Sequence, residues 1–148
     1  MTTGITTAID QSQQILVYSH DAKTRATIVS ALGRRLSVDG PPVSTTEVAT
    51  EPALRAALDA STRQIGRGEA GISLVILDGE ATPAGGMGIA RAIKDEIFNA
   101  PKILLVIGRP DDAWLASWSR ADAVAAHPID PFLLAGAAAR LLGQIEPN

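Results

Sequence analysis

Short unbroken apolar runs alternate along this chain with longer stretches in which apolar side chains recur at helical spacing. Ile15-Leu16-Val17-Tyr18, residues 72–77 and residues 102–107 read as strands buried on both faces, since a parallel strand covered by helices has no polar side. The run 43–48 is more polar and suits a sheet edge, and 123–126 reads as a weak fifth strand. Between them the spacing predicts a helix over 22–35, with Asp21 as N-cap and Ile28, Val29, Leu32 and Leu36 on one face. Gly40-Pro41-Pro42 then breaks the chain. A second helix follows over 51–65, with Thr50 as cap and Pro52 in its first turn. A third is expected over 87–98, after a loop holding Pro83, Gly85 and Gly86. A short fourth starts near Asp111 and Asp112 and carries Trp114 and Trp118, and a last one covers 131–142. Regular β-α alternation predicts an α/β fold with a parallel sheet, right-handed crossovers and helices on both faces.

The elements leave residues 1–13 as a flexible tail, 14–143 as one domain and 144–148 as a second tail. With 148 residues the chain has room for about one ordinary domain. Hydrophobic residues at 46% and charged residues at 20% fit a globular composition. Cysteine is absent, so disulfides and thiolate metal sites are excluded. No apolar stretch is long enough to span a membrane, and the N-terminus lacks a secretory pattern, so a cytoplasmic location is the expectation. A net charge of −3 with interspersed signs argues against nucleic acid as the main partner.

Chemistry enters with Asp78. It closes the run Ile72-Ser-Leu-Val-Ile-Leu-Asp78, at the carboxyl end of a strand, where open α/β sheets place their ligands. The glycines at 85, 86 and 88 lack the lysine and serine of a phosphate loop and read as a flexible turn. Arg34-Arg35, Arg63 and Arg67 fit solvated helix ends. Trp114 and Trp118 lie four residues apart and so on one helical face, and exposed tryptophan is a favoured interface anchor.

Several of these segments, in this order, resemble the receiver domains of two-component response regulators. Ile15-Leu-Val-Tyr-Ser-His-Asp21 is similar to the family's opening strand and acidic cluster, and Leu77-Asp78 to the end of its third strand. Gly86-Met-Gly-Ile-Ala-Arg-Ala-Ile-Lys94 resembles its third helix, and Ala121-Asp122 through His127-Pro128 its last strand and the following turn, where the peptide is commonly cis. Pro83 lies one residue later than its usual place. The resemblance implies a flavodoxin-like doubly wound sheet of five strands in the order 2-1-3-4-5, with Asp78 in the phospho-acceptor position.

It also implies a set of helpers that this chain lacks. The family's adjacent Mg²⁺-holding acids fall on Ser19 and His20, its hydroxyl after the fourth strand on Ile107, its lysine on His127 and its switch aromatic on Val124. Asp21 and Glu80 are the nearest substitutes for the missing acids. The resulting expectation is an atypical, stand-alone receiver that is not an enzyme. It would bind Mg²⁺ weakly or not at all, carry no other cofactor, and act as a phosphorylation-independent interaction module. Its partner, or a second copy, would dock on the fourth helix, fifth strand and last helix, with Trp114 and Trp118 as anchors. Two alternatives stand beside it: a true phospho-acceptor at Asp78, and a flavodoxin-like domain binding a small ligand or metal through His20, Asp78 and His127.

Overall fold

Successive side chains on a strand point to opposite faces of a sheet, so an uninterrupted apolar strand supplies two cores at once. The computed structural model describes residues 12–81 and 85–145, and within them the three apolar runs do this. The elements are β1 (Gln13–Tyr18), α1 (Ala22–Leu32), β2 (Val43–Val48), α2 (Glu51–Gly66), β3 (Ile72–Asp78), α3 (Gly86–Glu96), β4 (Lys102–Ile107), a 3₁₀ turn (Pro110–Ala113) leading into α4 (Trp114–Ser119), β5 (Ala123–Ala126) and α5 (Pro131–Leu141). All strand pairs are parallel, and the order across the sheet is β2-β1-β3-β4-β5, as expected. Ile15, Val17, Leu74, Ile76, Leu104 and Val106 pack on one face against Ile28 and Leu32 of α1 and Leu134, Ala137 and Ala138 of α5. Leu16, Tyr18, Val75, Leu77, Ile103, Leu105 and Ile107 pack on the other, against α2 and α3.

Capping explains where the helices begin. Asp21, Thr50 and Asp130 each accept backbone N–H groups from the first turn of α1, α2 and α5. Two helices stop earlier than their apolar spacing predicts. Helix α1 ends at Leu32 because Gly33 takes φ +62° and turns its N–H back to the Val29 carbonyl at 3.0 Å. Arg35 then forms an isolated bridge with Pro42, and its guanidinium donates to the Gly40 carbonyl at 2.6 Å, so this exposed residue stands beyond the helix rather than in its last turn. Helix α3 ends at Glu96, since Ile97 is extended and Asn99 adopts φ 53°. The parts of the expected tails at 1–11 and 146–148, and Pro83, lie outside the described residues. Among the described residues no helix is long and apolar enough to cross a membrane.

Candidate functional site at the carboxyl end of the sheet

The parallel strands deliver their C-terminal residues to one rim. Tyr18 ends β1 and is followed by Ser19; Asp78 ends β3, in register with Val106; Ile107 ends β4; His127 follows β5. Ser19 is fully buried and Asp78 is 3% exposed, so their polar atoms must find partners inside the protein. They find each other. Ser19 Oγ donates to Asp78 Oδ2 at 2.7 Å and accepts the Asp21 N–H at 3.0 Å. Asp78 Oδ1 accepts the Glu80 N–H at 2.8 Å, so each carboxylate oxygen has a partner. Arg25 holds the same loop from outside, donating to the Ser19 carbonyl at 2.7 Å and pairing with Glu47 at 3.1 Å.

Of the remaining rim residues, Asp21 and Ile107 are committed elsewhere. Asp21 spends both oxygens on the start of α1, accepting from Lys23 N and Thr24 Oγ1, each at 3.0 Å. These bonds, the backbone one foremost, hold its carboxyl below the usual carboxylate range. Glu80 lies across Gly108, where an added Cβ would come within 2.7 Å of Glu80 Oε1. Ile107 is buried in the α2/α3 core. His20 is exposed. His127 is half-buried beside an open hollow of about 330 Å³ shared with Lys23, Thr24, Thr27, Pro128 and Ile129, and its peptide bond to Pro128 is cis.

The fold family implies a divalent cation beside Asp78, and the residues at its two acid positions do not fit one. Hard cations such as Mg²⁺ need anionic oxygens free to coordinate. Here one acid position is a neutral hydroxyl already bonded to Asp78, the next is an imidazole, and Asp21 is bound to the helix start. Among the described residues no group of three or more His, Asp and Glu side chains is arranged to hold a metal ion, and the expected convergence of His20, Asp78 and His127 is not among such groups.

Sequence reasoning treated Ser19 as a missing acid and overlooked its bond to Asp78. It also passed over Tyr18, whose buried phenol is pushed above its ordinary pKa by burial first and then by the negative charges of Glu51 and Asp78. The glycine-rich stretch has a firmer role than a flexible turn, because a Cβ on Gly86 would sit 2.7 Å from the Asp78 carbonyl oxygen. Only glycine lets α3 start this close to β3.

Away from the rim, Trp114 and Trp118 are 70% and 50% exposed. Arg91 of α3 lies 5.3 Å from the Trp118 ring centre and donates to the Trp118 carbonyl at 2.7 Å. Arg120 bonds Asp95 at 2.5 Å, and Lys94 pairs with Asp122 at 2.8 Å. These links tie α3 to the end of α4 and the start of β5. On α5, Phe132 and Leu133 are also exposed.

No family model matches the chain. It is 54% identical over 121 residues to two Mycobacterium tuberculosis proteins, from two strains, each named an uncharacterised response regulatory protein; the match covers 82% of this chain and 84% of each relative. Among solved structures, the response regulator receiver protein from Burkholderia phymatum superposes with a TM-score of 0.69 at 18% identity, over 93% of this chain and 100% of that one. The response regulator DrrB of Thermotoga maritima superposes with a TM-score of 0.66 at 17% identity, over 90% of this chain but only 54% of that longer one.

Proposed function

The chain belongs to the response regulator family and carries its receiver fold, and from that premise we propose that it is an atypical receiver, a non-enzymatic interaction module whose output does not depend on phosphorylation of Asp78. The buried hydrogen bond from Ser19 to Asp78 carries this reading. Phosphoryl transfer to a carboxylate brings close to two negative charges, which need a cation or fixed donors beside them. At this rim the incoming group would meet a hydroxyl that must first break its bond to Asp78, the Ile107 side chain packed in the core, and no lysine at the His127 position.

The partner reads the face of α4, β5 and α5, with Trp114 and Trp118 as anchors, since large exposed aromatics supply most of the binding energy at such surfaces. A cytoplasmic protein partner is part of the same proposal.

The phospho-acceptor reading keeps one observation in its favour: Asp78 itself stands at the carboxyl end of β3. Incubation with acetyl phosphate and Mg²⁺, followed by intact-mass measurement, separates the two. An unmodified chain is expected; a stable phosphoryl adduct that disappears in Asp78→Asn overturns the proposal. For the surface, Trp114→Ala with Trp118→Ala is expected to release captured partners while Asp78→Asn retains them. The surface is wrong if the doubly substituted, folded protein holds every partner.

A further inference from the structure

At the end of the sheet opposite Asp78, a groove of about 190 Å³ opens between α2 and the turn joining α3 to β4. Its walls are mostly apolar: Leu58 and Ile65 of α2, Ile72 at the start of β3, and Ile97, Phe98 and Pro101 of the turn, with Phe98 on the outer edge. The hydroxyls beside them are already used. Ser61 Oγ accepts the Ile72 N–H at 2.7 Å, and Thr62 Oγ1 donates to the Leu58 carbonyl at 3.1 Å. The groove therefore suits an apolar occupant. A cavity of about 150 Å³ lined by aliphatic side chains takes a benzene ring, so the space here matches one phenyl group.

Such a group stands at the groove's own rim. Phe98 is 91% exposed, on a turn with extended Ile97 before it and left-handed Asn99 after it. A knob and a hole of matching size side by side on one patch are what a two-fold contact between identical chains requires, because each copy then offers both. Charge favours the same occupant. The wall helix α2 carries exposed Asp59 and Arg63 one turn apart. A two-fold axis perpendicular to α2 would lay the two helices antiparallel and set the acid of each copy against the base of the other, although the chain as a whole is negative.

We propose that this face forms a weak two-fold dimer in which Phe98 of each copy fills the groove of the other. Two phenylalanines bury about 300–500 Å² between them. Even with the flanking helices, the contact falls near or below the roughly 1,200 Å² lower bound of stable interfaces. Dimerisation is therefore concentration-dependent. It is also independent of the tryptophan face.

Sedimentation velocity on the full chain over a concentration series up to about 1 mM is the test. The wild type is expected to shift from monomer to dimer with concentration. Phe98→Asp, at an exposed position that folding does not need, is expected to weaken dimerisation about thirtyfold or more. Phe98→Ala lacks the knob but keeps the groove walls made by α2, Ile72 and Pro101, and Thr62→Trp keeps the knob but fills the hole, so each alone is expected to stay monomeric. Mixed, they restore one of the two contacts and form a heterodimer of intermediate strength. A wild type monomeric throughout overturns the proposal, as does a dimer indifferent to Phe98→Asp. A mixture that fails to associate, or a dimer lost in Trp114→Ala with Trp118→Ala, overturns it equally.

Discussion

Replacing Ser19 with alanine tests the central feature of the rim most directly. The change removes a hydroxyl that is wholly buried, donates to Asp78 at 2.7 Å and accepts from the Asp21 amide at 3.0 Å. Little volume is lost, so the cost is one of polar groups left without partners. A hydrogen bond to a charged group is worth about 1.5–3 kcal/mol, and a buried polar atom stranded by its loss costs a similar amount. The Asp21 amide is nearer solvent and recovers part of its loss from water, which sets the expected destabilisation at about 2–3 kcal/mol. For a domain of this size that lowers Tm by about 4–12 °C. Urea unfolding with an unchanged m-value and a thermal melt, both near neutral pH, measure it. Ser19→Asp is the informative companion. It places a second carboxylate against Asp78, and is expected to destabilise the chain without metal and to recover stability as Mg²⁺ is added. A cost for Ser19→Ala below about 0.5 kcal/mol, the range of an ordinary surface change, would refute the idea that this bond holds Asp78 in place.

Three further outcomes follow from the same geometry. The Tyr18 phenol is raised in the folded state, so its contribution is intact below the unfolded value near 10 and is lost as pH climbs through the higher folded value; alkaline denaturation monitored by circular dichroism should show a shallower loss in Tyr18→Phe. Asp122 Oδ2 accepts both Lys94 Nζ and the Ile103 N–H, each at 2.8 Å, and Asp122→Ala is expected to cost about 1–3 kcal/mol in urea unfolding, chiefly by stranding that amide. Arg91→Ala frees the Trp118 ring and carbonyl at a cost of about 0.5–1 kcal/mol, and should change tryptophan fluorescence while leaving the unfolding m-value alone.

Much of the scaffold was legible in the chain because its signals are local. An unbroken apolar run must be covered on both sides, and strands alternating with helical spacing leave a parallel sheet as the economical arrangement. Asp21 and Thr50 announced their helices because short oxygen-bearing side chains satisfy the first-turn amides wherever they stand. The overshoot of α1 has an equally local cause: apolar periodicity runs on through Leu36, yet Gly33 leaves the helix and Leu36 reaches the same core from a loop. Of the candidate site, Asp78 was legible from its place at the end of β3, but its surroundings only as a list of absences. Position gave Ser19 and Ile107 no apparent function, because what a hydroxyl or a methyl group does depends on atoms brought from other strands. The groove beneath Phe98 belongs to the same class, since Leu58, Ile72 and Pro101 meet only once three elements have packed.

These substitutions act together on how the two ends of the α3–β4 region could communicate. In the receiver family a hydroxyl after β4 and an aromatic on β5 respond to the acceptor, and here Ile107 is packed in the core while the β5 position is Val124. Glu80 lies where a side chain on Gly108 would otherwise approach Asp78's loop. Farther along, Arg91, Lys94 and Asp95 of α3 are all bonded to Trp118, Asp122 and Arg120, at α4 and just after it. A perturbation at Asp78 thus meets a packed residue where the family has a mobile hydroxyl, and the surface beyond is already tied to α3. Bistability needs two packings of similar free energy. The bonds at the Asp78 rim and between α3 and α4 hold one packing, and on the proposed reading a partner at the tryptophan face meets a surface set by folding, whatever the state of Asp78.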